Sequence, residues 1–298
     1  MTIILRFWGT RGSIATPGPN TCRYGGNTST VELQIGELLV VCDAGTGLRS
    51  LGLDWLERPQ PQATVHLFLS HTHFDHIQGF PFFAPVFRKD VTINLYDPTG
   101  RSDSNRERLL GQMVPEYCPV ATHHLAARID SVPFSHRMNL AAGVSVQALE
   151  QDHPGGSWGY AFECEGQRVV YATDSELDAQ LLNADSAHIA PEEERIFAPE
   201  VLAFFKNADL VVADAQYTDE EYQTRRGWGH ARFITVVDLA IAARVRQLAL
   251  FHHDPRHTDA DMDAILKQAR ERARQRGSDV KIVCAVEGEQ ITLESEHS

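Results

Sequence analysis

Residues 70–76 read Ser-His-Thr-His-Phe-Asp-His, so His71, His73, Asp75 and His76 fall within six consecutive positions. The stretch before them, Ala63 to Ser70, is strongly apolar and reads as a buried strand; the cluster begins where that strand ends. Two histidines two positions apart on a loop leaving a strand aim their rings to one side. Asp75 and His76 then turn the chain back to the same point. Imidazole and carboxylate are the ligand types that suit divalent zinc, manganese or iron. They are poor core material, because each buried polar ring needs its own hydrogen-bond partner. The residue types and their spacing therefore point to metal chemistry.

One cluster does not complete two metal spheres, and further donors follow strand candidates elsewhere. His153 follows Val144 to Glu150, Asp174 follows Arg168 to Thr173, and the pair His252 and His253 follows Gln247 to Phe251. Strand ends on a rigid scaffold are where loops carry catalytic groups. Adjacent histidines at a strand end are not ranked by sequence, so His252 and His253 stand as alternatives.

The elements that must position these groups are legible in outline. Strands are expected at Ile3 to Phe7, Thr30 to Ile35, Leu38 to Cys42, Val91 to Tyr96, Trp158 to Cys164, Leu210 to Ala213 and Val280 to Val286, besides those already named. Helices are expected from the DAGTG loop to Trp55, over Asp103 to Val114, over Phe233 to Val245, and from Thr258 to Gly277. The last has a Thr258–Asp261 capping pattern and a glycine stop. Asn183 to Arg195 reads as a polar surface loop. The alternating Arg270, Arg272, Arg274 and Arg276 read as the solvated side of the final helix. No repeat, low-complexity tract or interdomain linker is visible, so residues 1–298 are expected to form a single domain.

The His-Thr-His-Phe-Asp-His run resembles the HxHxDH signature of the metallo-β-lactamase superfamily, and His153, Asp174 and His252 fall in the order and spacing of its later motifs. The resemblance covers nearly the whole chain. It implies an α+β, layered fold: a four-layer αββα sandwich with metals at one edge between the sheets. It also implies two divalent metal ions per chain (zinc, manganese or iron), one on His71, His73 and His153, the other on Asp75, His76 and His252, with Asp174 between them. The segments 212–222 and 227–232 resemble the phosphodiesterase branch, which includes tRNA 3′-processing endonucleases and bacterial cyclic-nucleotide phosphodiesterases. There an acidic residue and a histidine act near the leaving group, and here they map to Asp214 and His230. The tRNA enzymes typically have Glu where this chain has Asp214, and Ser where it has Ala231.

The glycine-rich stretch 9–29 resembles a bacterial cyclic-nucleotide phosphodiesterase-like subset. Within it Asn27, Thr28 and Ser29 are candidates for hydrogen bonds to substrate or to the metal loop, and Arg11 for facing a phosphate. Asp43 is expected to support the metal loop from behind. The aromatic run 79–87 is a candidate to line the pocket and stack a base, or else packs in the core or in a dimer. Histidines 66, 123, 124, 136, 188, 257 and 297 receive no role, although His257 lies close behind His252.

The resulting expectation is a metal-dependent phosphodiesterase. A metal-bridged hydroxide would attack a small phosphodiester, by first choice a 3′,5′-cyclic nucleotide, with Asp75, His230 and Asp214 as catalytic residues. The formal net charge is −13. It disfavours long nucleic acid, whose binding relies on Lys and Arg to displace counterions. Alternatives are an RNA-processing nuclease of ribonuclease Z type, a lactonase or thioesterase on the same fold, and a metal-dependent binding module. Five scattered cysteines without a CxxC pair read as reduced, buried thiols rather than a disulfide framework. The first residues lack a charged segment followed by an apolar one, and no apolar run approaches the ~20 residues of a membrane span. A cytoplasmic protein with no membrane partner is expected, with a homodimer as an open alternative by resemblance.

Overall fold

The structure is a computed structural model and describes residues 1–100, 104–183 and 193–294. Most of the surface loop expected at 183–195 lies outside the described residues, as do His188 and His297.

In chain order the described strands are β1 (Ile3–Gly9), β2 (Thr30–Ile35), β3 (Leu38–Cys42), β4 (Thr64–Phe68), β5 (Thr92–Asp97), β6 (Arg128–Pro133), β7 (Arg137–Asn139), β8 (Ser145–Gln151), β9 (Ser157–Cys164), β10 (Gln167–Ala172), β11 (Leu210–Asp214), β12 (Gln247–Phe251), β13 (Lys281–Cys284) and β14 (Gln290–Leu293). The helices are α1 (Gly47–Glu57), α2 (Phe74–Ile77), α3 (Ser104–Gly111), α4 (Pro199–Phe205), α5 (Asp219–Tyr222), α6 (Phe233–Ala242) and α7 (Asp259–Gln275), with short 3-10 turns between. They build two sheets of seven strands, in the orders β14-β1-β2-β3-β4-β5-β6 and β13-β12-β11-β10-β9-β8-β7. In each, an antiparallel part passes into a parallel part, at β3–β4 in the first and β10–β11 in the second. Parallel neighbours need crossover segments, and α1, α4, α6 and α7 supply several of them.

Three apolar layers hold the sandwich together. Between the sheets lie Phe7, Phe68, Tyr96, Tyr160, Phe162, Tyr171 and Phe251, with Phe68 and Tyr96 stacked at 4.2 Å. Leu48, Leu51 and Trp55 of α1 cover the outer face of the first sheet. Val201 of α4, Val236 and Leu239 of α6, and Ile265 of α7 cover the second. Strands buried on both faces explain the continuous apolar runs, such as the fully buried β11 and β12. This is the four-layer αββα arrangement. Among the described residues no helix is long and apolar enough to cross a membrane.

The structure corrects several expectations. β6, β7 and β14 carry too many polar residues for a core-strand pattern, and α2, α4 and α5 are too short for a helical period. Helix α6 ends three residues early, where Arg244 takes a left-handed φ of 58°. The basic run on α7 is not one solvated side. Positions two apart on a helix diverge by about 200°, and Arg272 turns inward, donating to Asp238 at 2.8 and 2.7 Å. Cys42, Cys118, Cys164 and Cys284 are buried, whereas Cys22 is exposed.

Candidate active site

The C-terminal ends of β4, β8, β10, β11 and β12 meet at one edge of the sandwich, as ligand sites do in parallel-sheet folds. β4 delivers His71, His73, Asp75 and His76. The other four strands end in His153, Asp174, Asp214 and His252. The structure brings all of these together with His230. Two groups form around the motif, His71 with His73 and His153, and Asp75 with His76, Asp174 and His252; a third, of Asp214 and His230 with Asp174 and His252, adjoins the second. His73 Nδ1 lies 2.9 Å from His71 Nε2 and 3.1 Å from His153 Nε2. His76 Nε2 lies 3.0 Å from Asp75 Oδ2, and His252 Nε2 lies 3.2 Å from the same oxygen. Asp174 spans both groups. Its Oδ1 is 3.2 Å from His76 Nε2 and from His252 Nε2, and its Oδ2 is 3.7 Å from His71 Nε2 and from His153 Nε2.

The backbone is bent to achieve this. Ser13, Asp43, Asp174 and His252 all adopt left-handed φ values, 61°, 62°, 51° and 59°. Such strained positions persist only where the surroundings over-determine them, and they gather at functional sites.

Second nitrogens are tied down behind the cluster. His76 Nδ1 donates to Asp43 Oδ2 at 2.7 Å, His153 Nδ1 to the Gly229 carbonyl at 2.9 Å, and His252 Nδ1 to Gln216 Oε1 at 2.9 Å. Asp43 also accepts from Ser70 N, Ser70 Oγ and the Tyr171 hydroxyl, at 2.7, 2.8 and 2.6 Å. Each of these imidazoles is thus oriented by its outer nitrogen while the inner one faces the cluster.

The donor set fits divalent cations. Burial holds His71 and His153 below the usual imidazole range. Burial acts to raise Asp75 and Asp174, but the surrounding imidazoles outweigh it and hold both well below the carboxylate range. Around His76 the order is reversed: burial favours the neutral ring, and Asp75, Asp174 and Asp43 overcome it and draw a proton to the ring. Among the described residues the buried His76 Nε2, although 3.0 and 3.2 Å from the Asp75 and Asp174 oxygens, meets no partner in hydrogen-bond geometry. A buried surplus of anions around an orphaned ring nitrogen is the charge pattern that cations relieve.

Beside this cluster His230 Nδ1 bonds to Asp214 Oδ2 at 2.7 Å. Burial lowers the His230 pKa, but Asp214 dominates and raises it to about 9. His230 shares a cavity of about 440 Å³ with His73, Asp75, His153 and Asp174.

His253 lies outside the cluster. Its Nε2 donates to the Ala285 carbonyl at 2.9 Å, and burial depresses its pKa to about 3. Of the adjacent histidines it is therefore His252 that reaches the site. His257 is also elsewhere, 3.0 Å from Glu221. Arg11 does not face a phosphate. It is fully buried, and its guanidinium donates to the carbonyls of Gly25, Asp254 and His257. Asn27 bonds to Glu287, and Thr28 exchanges bonds with Thr46; these residues stitch the glycine loop rather than reach substrate. Phe80, Phe83 and Val86 of the aromatic run are core, packed beneath α1.

Sequence reasoning missed the residues that surround the cluster. The Ser13 N–H donates to Asp75 Oδ2 at 2.8 Å. Phe74 and Trp228 line the cavity. The buried Glu176 carboxylate accepts from the N–H groups of Gly227 and Gly229 and from the Tyr222 hydroxyl, all at 2.8 Å. It thereby pins the loop that carries His230. Only its place two residues after Asp174 hinted at a role.

The chain is similar to known proteins. The family described as "Beta-lactamase superfamily domain" matches residues 39–253. Ribonuclease Z from Picrophilus torridus is 20% identical, over 88% of this chain and 89% of its own. The metallo-β-lactamase fold protein YhfI from Bacillus subtilis superposes with a TM-score of 0.68 at 18% identity, over 98% of this chain and 99% of its own. A diphosphatase from the PhnP family superposes with a TM-score of 0.63 at 16% identity, covering 98% of both chains.

Proposed function

The chain belongs to the beta-lactamase superfamily and is a hydrolase of the metallo-β-lactamase fold, and from that premise we propose that it is a metal-dependent phosphodiesterase. His71, His73 and His153 would hold one divalent ion, and Asp75, His76 and His252 the other, with Asp174 offering one oxygen to each. Such ions, when bound, supply Lewis acidity that activates water and neutralises charge on a phosphoryl oxygen. The observation that carries the reading is the His230–Asp214 pair, 2.7 Å apart, whose histidine lines the same cavity as the cluster.

The chain's own groups divide the work. Asp214 occupies His230 Nδ1, so Nε2 is the nitrogen that delivers a proton to the departing oxygen. The bond to Asp214 favours the protonated form of the ring. Asp75, fixed by the Ser13 N–H, stays anionic and would orient the attacking water by accepting its hydrogen bond. The Gly229 carbonyl and Gln216 hold His153 and His252 in their tautomers. A nucleophilic side chain is not needed.

The finer proposal is a small substrate, a 3′,5′-cyclic nucleotide, handled by one domain spanning residues 1–298. A cavity of about 440 Å³ falls in the range of small-ligand sites, and a net charge of −13 repels long polyanions. A second reading, RNA processing, is favoured by the ribonuclease Z relatives. A panel tests both: cyclic AMP, cyclic GMP, bis(p-nitrophenyl) phosphate, a tRNA precursor and a lactone, each with zinc and with manganese. Turnover of the cyclic nucleotides supports the first reading. Site-specific cleavage of the precursor with inert cyclic nucleotides selects the second, and activity on the lactone alone removes both.

A further inference from the structure

Resting on the phosphodiesterase reading, we infer that Phe74 and Trp228 form an aromatic wall that binds a planar ring, a nucleobase or aryl group, on the departing side of the substrate. These are among the most exposed large apolar side chains of the protein, 75% and 59% accessible, and both line the cavity that holds His230 and Asp75. Scattered exposed apolar residues are ordinary, but two large aromatics at the mouth of a polar site are a patch with a position.

Neither ring is placed by chance. Phe74 is the first residue of α2, between His73 and Asp75, so the backbone that places those two places it as well. Trp228 lies between Gly227 and Gly229, whose φ values are 78° and 85°. Both glycine N–H groups are held at 2.8 Å by the buried Glu176 carboxylate, one on each oxygen. At Gly229 a Cβ would come within 2.2 Å of His153 Nδ1, so the backbone there is packed directly on the site. A tryptophan at the tip of a loose loop has no fixed target. Here the loop is clamped on both sides of the residue, and the indole is presented from a fixed base. Among the described residues neither ring pairs with another aromatic ring.

The neighbourhood decides what binds. Trp228 is two residues from His230, which serves the departing oxygen, so a ring against the indole belongs to the departing group. The cavity residues outside the donor cluster and the two rings, Ser13, Thr72 and Pro154, are small and carry no amide or charged side chain to read a base edge. Stacking is sequence-tolerant, because every base has a π-face. The wall therefore selects a flat ring over an alkyl group and discriminates weakly between bases.

Two contrasts test this. In the first, calorimetry measures binding of adenosine 5′-monophosphate and of ribose 5-phosphate to the metal-loaded protein. Wild type should prefer the nucleotide, Trp228→Ala should cut that preference about tenfold, Trp228→Phe should keep most of it, and Phe74→Leu should reduce it less. In the second, an aryl methyl phosphodiester is compared with a fluoroalkyl methyl phosphodiester of matched leaving-group acidity. The aryl-over-alkyl ratio of kcat/KM should fall about tenfold in Trp228→Ala, mainly through KM. A nucleotide preference absent from wild type, or unchanged in Trp228→Ala, overturns the wall. A preference that depends on Trp228 in a protein that hydrolyses neither ester upholds the wall and overturns the phosphodiesterase reading instead.

Discussion

Replacing Glu176 by Gln should detach the loop that carries His230 while leaving the metal-facing residues in sequence. The carboxylate accepts three hydrogen bonds at 2.8 Å, from Tyr222 and Gly227 on one oxygen and from Gly229 on the other. A carboxamide has only one oxygen. With that oxygen toward Tyr222 and Gly227, its NH2 faces the Gly229 N–H, donor against donor; flipped, it faces the Gly227 N–H. Either way one N–H loses its acceptor, the buried one of Gly229 or the part-buried one of Gly227, at a cost of ~1–3 kcal/mol. The bonds that survive lose their charge assistance, roughly another 1–2 kcal/mol together. Relief from burying a charge offsets part of this, so the net loss should be about 2–4 kcal/mol. At about 2 °C per kcal/mol for a chain of this size, Tm should fall by ~4–8 °C. Turnover should fall more for a poor leaving group than for p-nitrophenol, because displaced His230 no longer protonates the leaving oxygen. Differential scanning calorimetry and two esters of unlike leaving-group acidity measure both effects. An unchanged Tm, or an equal loss on both esters, would refute the proposed role of this carboxylate.

His230→Ala should retain bound metal by elemental analysis and lose ~10²–10⁴-fold in turnover, with a smaller loss for p-nitrophenyl esters; loss of metal would show a ligand instead. Asp174→Ala should lower the affinity for both ions and nearly abolish activity, since its two oxygens face the two groups of donors; full metal content with near-normal turnover would reduce Asp174 to a loop residue. Burial acts to raise the pKa of Glu221, but its bonds to His257 and Thr218 prevail and bring it to about 2. A folded-state pKa below the unfolded value stabilises above the unfolded pKa and loses that stability as pH falls, so the gap in urea-unfolding free energy between wild type and Glu221→Gln should be roughly 1–3 kcal/mol near neutrality and shrink between pH ~4.5 and ~2. A gap independent of pH would place the effect in packing.

What the sequence made legible follows from period and residue type. The β4 run and the donors after it could be read because a strand buried on both faces leaves an uninterrupted apolar segment, and because so many imidazoles and carboxylates gathered at strand ends are costly to bury without a cation to share. Helix α7 was legible at both ends for a local reason: Thr258 and Asp261 satisfy each other's backbone N–H groups, as the capping pattern requires. Edge strands β6, β7 and β14 were not legible, since partly exposed strands carry polar residues that blur the alternation.

The misreadings have a different origin. Arg11 was weighed by what its side chain can do, yet its place is set by backbone partners elsewhere in the chain. Arg11 is spent on carbonyls, two of them more than 240 positions distant. Glu176 is the reverse case, an unremarked acid whose targets are the amides of a glycine loop fifty residues on. A side chain that bonds to backbone leaves no residue-type partner in the sequence to be noticed. The same holds for Ser13, which acts on Asp75 through its N–H alone. Metal donors announce themselves because only a few residue types have their chemistry. The groups that aim those donors use the amide and carbonyl common to every residue, and only the folded chain shows which ones are used.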